Sequence, residues 1–188
     1  MSNRTCTIAL PYYSGAGHTA QIATAIADGA TAQGATSHII DIEKISASDW
    51  ASLDRADAIL FGTPTYMGSV AAAYAAFLEE AGGRWMDQIW ADKVAGGFTV
   101  ATFGSGDKLG ALQRLSIFAA QMGMIWTGPN DIGAPVFPAE PGINADGGWL
   151  GLMGSSVSTP RGAVRPGDLE TGRRFGARVA KLCMRMSD

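Results

Sequence analysis

Thr7-Ile8-Ala9-Leu10-Pro11-Tyr12-Tyr13-Ser14-Gly15-Ala16-Gly17-His18-Thr19 is the stretch that decides the fold. Residues 5–13 form an apolar run with Ile8 and Leu10 at its middle, which reads as a strand. Small residues follow, and then Ile22, Ala23, Ile26, Ala27 and Ala30 recur at helical spacing until Gly34 closes the helix. Strand, tight loop and helix in that order open a parallel α/β unit. The loop lies where such sheets bind ligands, outside the carboxyl end of a strand.

The same order repeats outward along the chain. Residues 36–42 predict a second strand, residues 58–62 a third with the unbroken apolar run of a strand covered on both faces, and residues 94–102 a fourth. Gly96-Gly97 inside the fourth points to close backbone packing. Val70, Tyr74, Phe77 and Leu78 mark an amphipathic helix ended by Gly82-Gly83. Residues 109–122 predict a helix that is apolar on more than one face, fit to be covered by a second subunit as well as by the sheet. Residues 124–127 start a fifth strand, which residues 151–157 can complete. The last helix, residues 168–186, has Asp168 and Glu170 in its first turn and Arg178, Lys181 and Arg185 late, as the macrodipole favours. Between 128 and 167 runs a stretch too long for a plain connection, with Pro129, Pro135, Pro138, Pro141, Pro160 and Pro166. The expectation is one domain over residues 1–188, a doubly wound α/β/α sandwich with right-handed crossovers.

Bulk properties narrow the function. At 188 residues the chain buries roughly 70% of its unfolded surface. Only 16% of its residues are charged, against a usual share of about 25%, which favours contact between subunits. A net charge of −3 offers no basic field for nucleic acid. Cys6 and Cys183, far apart in sequence, make neither a disulfide framework nor a metal cluster, and read as buried thiols. With no signal-peptide pattern and no run long enough to span a bilayer, the expected location is the cytoplasm, without membrane insertion.

Three loops that follow predicted strands carry the chemistry. In Ser14-Gly15-Ala16-Gly17-His18-Thr19 the first-turn amides of the coming helix lack internal partners and form an anion site, to which Ser14 and Thr19 add hydroxyls. His18 reads equally as a ligand or as a capping or exposed side chain. The same residues fit a dinucleotide fingerprint, Gly15-x-Gly17-x-x-Ala20 with Asp41 as ribose ligand. That reading leaves the other two loops unexplained. Pro64-Thr65-Tyr66-Met67-Gly68 sets an aromatic and a thioether at the mouth of the sheet, suited to the faces of a flat ring, with backbone groups for its polar edge. The glycines of Thr102-Phe103-Gly104-Ser105-Gly106 let amides approach such a ring, and Asp107 before Lys108 excludes a Walker loop. A phosphate at one end and a flat ring at the other describe FMN.

Together, Tyr12-Tyr13-Ser14, Phe61-Gly62-Thr63-Pro64-Thr65-Tyr66-Met67-Gly68, Gly82-Gly83-Arg84-Trp85, Phe98-Thr99 and Gly123-Met124-Ile125 resemble the flavodoxin-like flavoproteins over nearly the whole chain. The resemblance is nearest to the WrbA-type NAD(P)H:quinone oxidoreductases and the NADPH-dependent FMN reductases. It implies a flavodoxin-like five-stranded parallel sheet in the order 2-1-3-4-5. It also implies FMN bound by Ser14 to Thr19, by Thr65 to Met67 and by the loop from Val100 and Ala101 to Ser105, with Trp85 lining a quinone site over the ring, in a homodimer or homotetramer. Trp85 also reads as an interface residue, and Trp50, Trp90, Trp126 and Trp149 as packing residues. The chain departs from the family pattern at Ala16, at Gln121-Met122 before Gly123, and at Phe103 in a less glycine-rich third loop.

The expected activity is two-electron transfer from NAD(P)H through FMN to a quinone-like acceptor. The cofactor performs the chemistry, so neither a catalytic side chain nor a metal is required. Two other readings are a flavodoxin-type electron carrier without nicotinamide turnover and a Rossmann-type dinucleotide binder.

Overall fold

The chain folds around β3 (Ala58–Tyr66), whose first eight residues are buried. Alternation along the strand sends Ile59 and Phe61 into one apolar layer and Ala58 and Leu60 into the other. The computed structural model describes residues 5–133, 136–157 and 162–186. On one side β3 pairs in parallel with β1 (Thr7–Tyr12), which pairs with β2 (Thr36–Asp41). On the other it pairs with β5 (Val94–Ala101). β4 (Ser69–Val70) only folds back, antiparallel, on the end of β3.

The fifth position of the sheet is shared. β6 (Ile125–Trp126) pairs with Val94 and Ala95, and β7 (Leu152–Ser155) continues the ladder beside residues 98–101. The path β2-β1-β3-β5-β6 is the parallel 2-1-3-4-5 order that the family resemblance implies.

Helices α1 (His18–Thr31) and α5 (Pro166–Met186) cover one face through Ile22, Ile26, Phe175 and Val179. Helices α2 (Ala47–Arg55), α3 (Ala72–Ala81) and α4 (Lys108–Gln121) cover the other through Leu53, Tyr74, Phe77 and Leu115. α2 is an element that the apolar periodicity of the sequence does not predict. It begins on a capping box: Ser46 Oγ accepts from the Asp49 amide, and the Asp49 carboxylate accepts from the Ser46 amide at 2.9 Å.

Glycine sets the spacing of the layers. A Cβ on Gly96 would stand 2.8 Å from the Phe175 ring, and one on Gly97 2.9 Å from the Trp126 ring, so β5 has aromatic cover on both faces. A Cβ on Gly176 would stand 1.9 Å from the Ile26 carbonyl oxygen, so α1 and α5 cross with their backbones in contact. Cys6 and Cys183, each 2% exposed, meet in this layer, where a hydrogen bond between the two side chains and then burial push the Cys183 thiol up.

The long connection after β6 is knitted to α5. The Asn144 side chain donates to the Asp131 carbonyl and accepts from the Gly148 amide, both at 2.9 Å, and its own amide donates to Thr171 Oγ1. Pro135 and Pro160 of that stretch lie outside the described residues. Trp90 is fully buried and the Trp126 indole donates to the Leu150 carbonyl at 2.8 Å, whereas Trp149, expected in packing, is half exposed. Among the described residues no helix is long and apolar enough to cross a membrane.

Candidate functional site

Parallel pairing brings the ends of β1, β3 and β5 to one edge, and the three loops meet there around a cavity of about 190 Å³. Its walls are Ser14, Gly15, Ala16, His18 and Thr19 from the first loop, Pro64, Thr65 and Tyr66 from the second, and Val100, Ala101 and Thr102 from the third. Gly17, Met67, Gly68, Phe103, Gly104 and Ser105 belong to the same loops but do not line it. The second loop packs on the first turn of α4: a Cβ on Gly110 would meet the Gly68 carbonyl oxygen.

The first loop is shaped by its turn. Gly17 has a φ of +83°, a conformation open to glycine, and so reverses the chain into α1. Ser14 Oγ accepts from the Ala20 amide at 3.2 Å, which leaves its hydroxyl hydrogen available to a ligand. The phenols of Tyr13 and Tyr66 converge on Gly15, 3.3 and 2.7 Å from where a Cβ would stand. Burial raises the Tyr66 phenol, with a further contribution from Tyr13 beside it, so the Tyr66 hydroxyl stays neutral and able to donate.

His18 lines the cavity with Nε2 shielded from solvent and without a hydrogen-bond partner among the described residues. A buried polar atom left unmatched calls for a group that matches it. No lining residue is a carboxylate, and the N-terminus of α1 opens on the same space. The donor set therefore suits an anion, and the space that Gly15 and Gly17 leave suits its close approach to backbone.

The second and third loops present apolar surface at the mouth. Met67, at φ +50°, is fully exposed, Tyr66 is half exposed and Phe103 is 77% exposed. The hydroxyl of Thr65, by contrast, faces inward and shares a 2.8 Å hydrogen bond with Thr99. Thr63 Oγ1 accepts from the Ala71 amide at 3.1 Å and so ties the second loop to the start of α3.

Ser156, just past β7, lines the cavity and was missed, since it lies in the long connection whose return to the sheet the sequence places only coarsely. Asp41 lines no part of the cavity; its carboxylate accepts from the Glu43 amide and caps the turn after β2. Trp85 is not brought to the cavity within one chain. It is half exposed in an apolar groove of about 1080 Å³ between α3 and α4, with Glu79 and Arg114 among its walls. Among the described residues no cluster of three or more acidic, histidine or cysteine side chains is placed to hold a metal.

Known proteins share this fold. The flavodoxin family profile matches residues 10–147. Flavodoxin FldP of Pseudomonas aeruginosa is 37% identical over 91% of this chain and 93% of its own length. An NAD(P)H dehydrogenase (quinone) of Cupriavidus metallidurans is 28% identical over 93% of this chain and 96% of its own. The crystal structure of a flavodoxin, WrbA-like protein from Agrobacterium tumefaciens superimposes with a TM-score of 0.77 at 37% identity, covering 96% of this chain and 99% of that one.

Proposed function

The chain belongs to the flavodoxin family, and on that premise we propose that it is an FMN-dependent oxidoreductase that reduces quinone-like acceptors with NAD(P)H. The observation that carries the reading is the unmatched Nε2 of His18 in a cavity at the N-terminus of α1. A buried polar atom beside a helix N-terminus suits an anionic, hydrogen-bonding group.

The cavity's 190 Å³ is below the roughly 300 Å³ at which pockets begin to enclose whole ligands. It would hold the phosphate end on Ser14, Thr19 and the surrounding amides. Tyr66, Met67 and Phe103, apolar and exposed at the mouth, would flank the ring. The backbone of the third loop would meet the ring's polar edge. Bound there, FMN supplies the two-electron chemistry between nicotinamide and quinone. The chain's own part is to hold, orient and shield: its cavity walls offer hydroxyl and imidazole groups and no carboxylate. A role for Trp85 at the acceptor site calls for a neighbouring copy, in a homodimer or homotetramer in contact through the α3–α4 groove.

Titration with FMN tests the assignment. Quenched flavin fluorescence and FMN-dependent NAD(P)H oxidation with added quinone are expected; indifference to FMN overturns it. A carrier without nicotinamide turnover is the second reading, favoured by the 37% identity to a flavodoxin. Flavin binding with no NAD(P)H oxidation at any quinone concentration selects it.

A further inference from the structure

Lys108, the first residue of α4, has a side chain with no solvent exposure, an unusual place for an ammonium. Its Nζ donates to the Asp146 carboxylate, to the Gly154 carbonyl at 2.9 Å and to Ser155 Oγ at 2.8 Å. Arg165 bridges Asp146 at 2.8 Å and Asp168 at 2.8 Å, and Asp168 accepts from the Ser155 amide at 2.8 Å. Two cations and two carboxylates thus balance in one cluster. A buried network of this kind contributes little net stability, because desolvation offsets the attraction. What it fixes is geometry.

The geometry concerns the cavity. Through its amide Lys108 donates to the Ser105 carbonyl at 3.1 Å and closes the third loop. Through its ammonium it holds the end of β7, one residue before the cavity-lining Ser156. Asp146 Oδ1 lies 3.6 Å from where a Cβ on Gly104 would stand, so the cluster backs directly onto that loop. Burial lowers the Lys108 ammonium while Asp146 opposes the shift, and the bonds from Lys108 and Arg165 keep the Asp146 carboxyl below its usual range against the effect of burial.

We propose that Lys108 is a positioning residue for the ring end of the cavity, joining the third loop to Ser156 through the Asp146–Arg165–Asp168 cluster. The proposal rests on the FMN reading. It separates the two ends of the site: the phosphate end depends on residues 14–19, and the ring end on a buried ion cluster that no motif in the loops reveals.

The test compares FMN with riboflavin, which has the ring and lacks the phosphate. Fluorescence titrations are run on the wild-type chain, on Lys108→Met, and on a double variant, Lys108→Met with Asp146→Asn, which also removes the one negative charge the cluster would carry in excess. Melting of each flavin-free protein is followed in parallel. In Lys108→Met, affinity for both flavins is expected to fall about tenfold or more, with the FMN-to-riboflavin ratio unchanged. In the double variant melting recovers towards wild type and the affinities stay low. Affinity that recovers with melting, a loss confined to FMN, or no loss at all overturns the proposal. A wild-type chain that binds neither flavin overturns the FMN reading and this proposal together, which the other outcomes do not.

Discussion

The phenol of Tyr74, fully buried on α3, donates to the carbonyl of Pro11 at 2.8 Å. The same oxygen accepts from the Gly62 amide at 3.1 Å. One side chain thus spans β1 and β3 directly below the first two loops of the cavity. Tyr74→Phe keeps the ring and leaves two backbone groups unmatched in the interior. A loss of about 1–3 kcal/mol is expected in urea unfolding, with weaker FMN binding as the loops separate. Unchanged stability would mean that water or another group replaces the hydroxyl.

Ser14→Ala and Thr19→Ala should differ in the absence of ligand. Both variants are expected to weaken FMN by the roughly 1.5–3 kcal/mol of a hydrogen bond to a charged group. Ser14 also caps α1 at the Ala20 amide, so its removal costs the flavin-free protein about 1 kcal/mol. Titration and flavin-free melting separate the two effects. Equal flavin affinity in wild type and both variants would place the phosphate elsewhere.

Gly176→Ala probes the crossing of α1 and α5. The new methyl would meet the Ile26 carbonyl at 1.9 Å, where neither backbone has room to yield. Overpacking of this kind costs about 1–3 kcal/mol or more, although alanine is the better helix former. A variant as stable as wild type would show that the helices slide apart freely.

Stability should decline in alkali, and Cys183 sets where the decline begins. Its hydrogen bond with Cys6 and its burial raise the thiol, so the native state keeps a proton that the unfolded chain releases above about pH 8.5. The stabilisation is complete below that pH and is lost as pH rises towards the native value. Tyr74, raised well above its ordinary value by burial, adds a second decline above pH 10. Cys183→Ala should flatten the stability profile between about pH 8.5 and 10 and leave the upper decline in place. Chemical denaturation at several pH values reads both.

How far the sequence carried this structure depended on where each signal sat. The three loops were legible because each is a run of small residues directly after an apolar strand, and local pattern alone places such a loop at the sheet edge. α2 was not, since Trp50 and Leu53 give nine residues too narrow an apolar stripe; its signal was the Ser46–Asp49 capping pair. Lys108 reads in sequence as a solvated base at a helix start, and only the return of residues 146, 154 and 155 encloses it. Ser156 shares that origin: its place follows from β7 pairing with β5, a contact made across the whole long connection. The pair of cysteines was legible as buried but not as adjacent, because 176 residues separate them in the chain and only the shared apolar layer unites them.

The division of the fifth strand into two short pieces has a consequence for self-association. A border made of a two-residue and a four-residue ladder gives a foreign strand little to zip against. The opposite border is β2, six continuous residues with His38 and Ile39 open to solvent. Fibrous growth or strand exchange between copies would therefore start at Thr36–Asp41, and a proline or lysine placed there is the natural safeguard during concentration or storage.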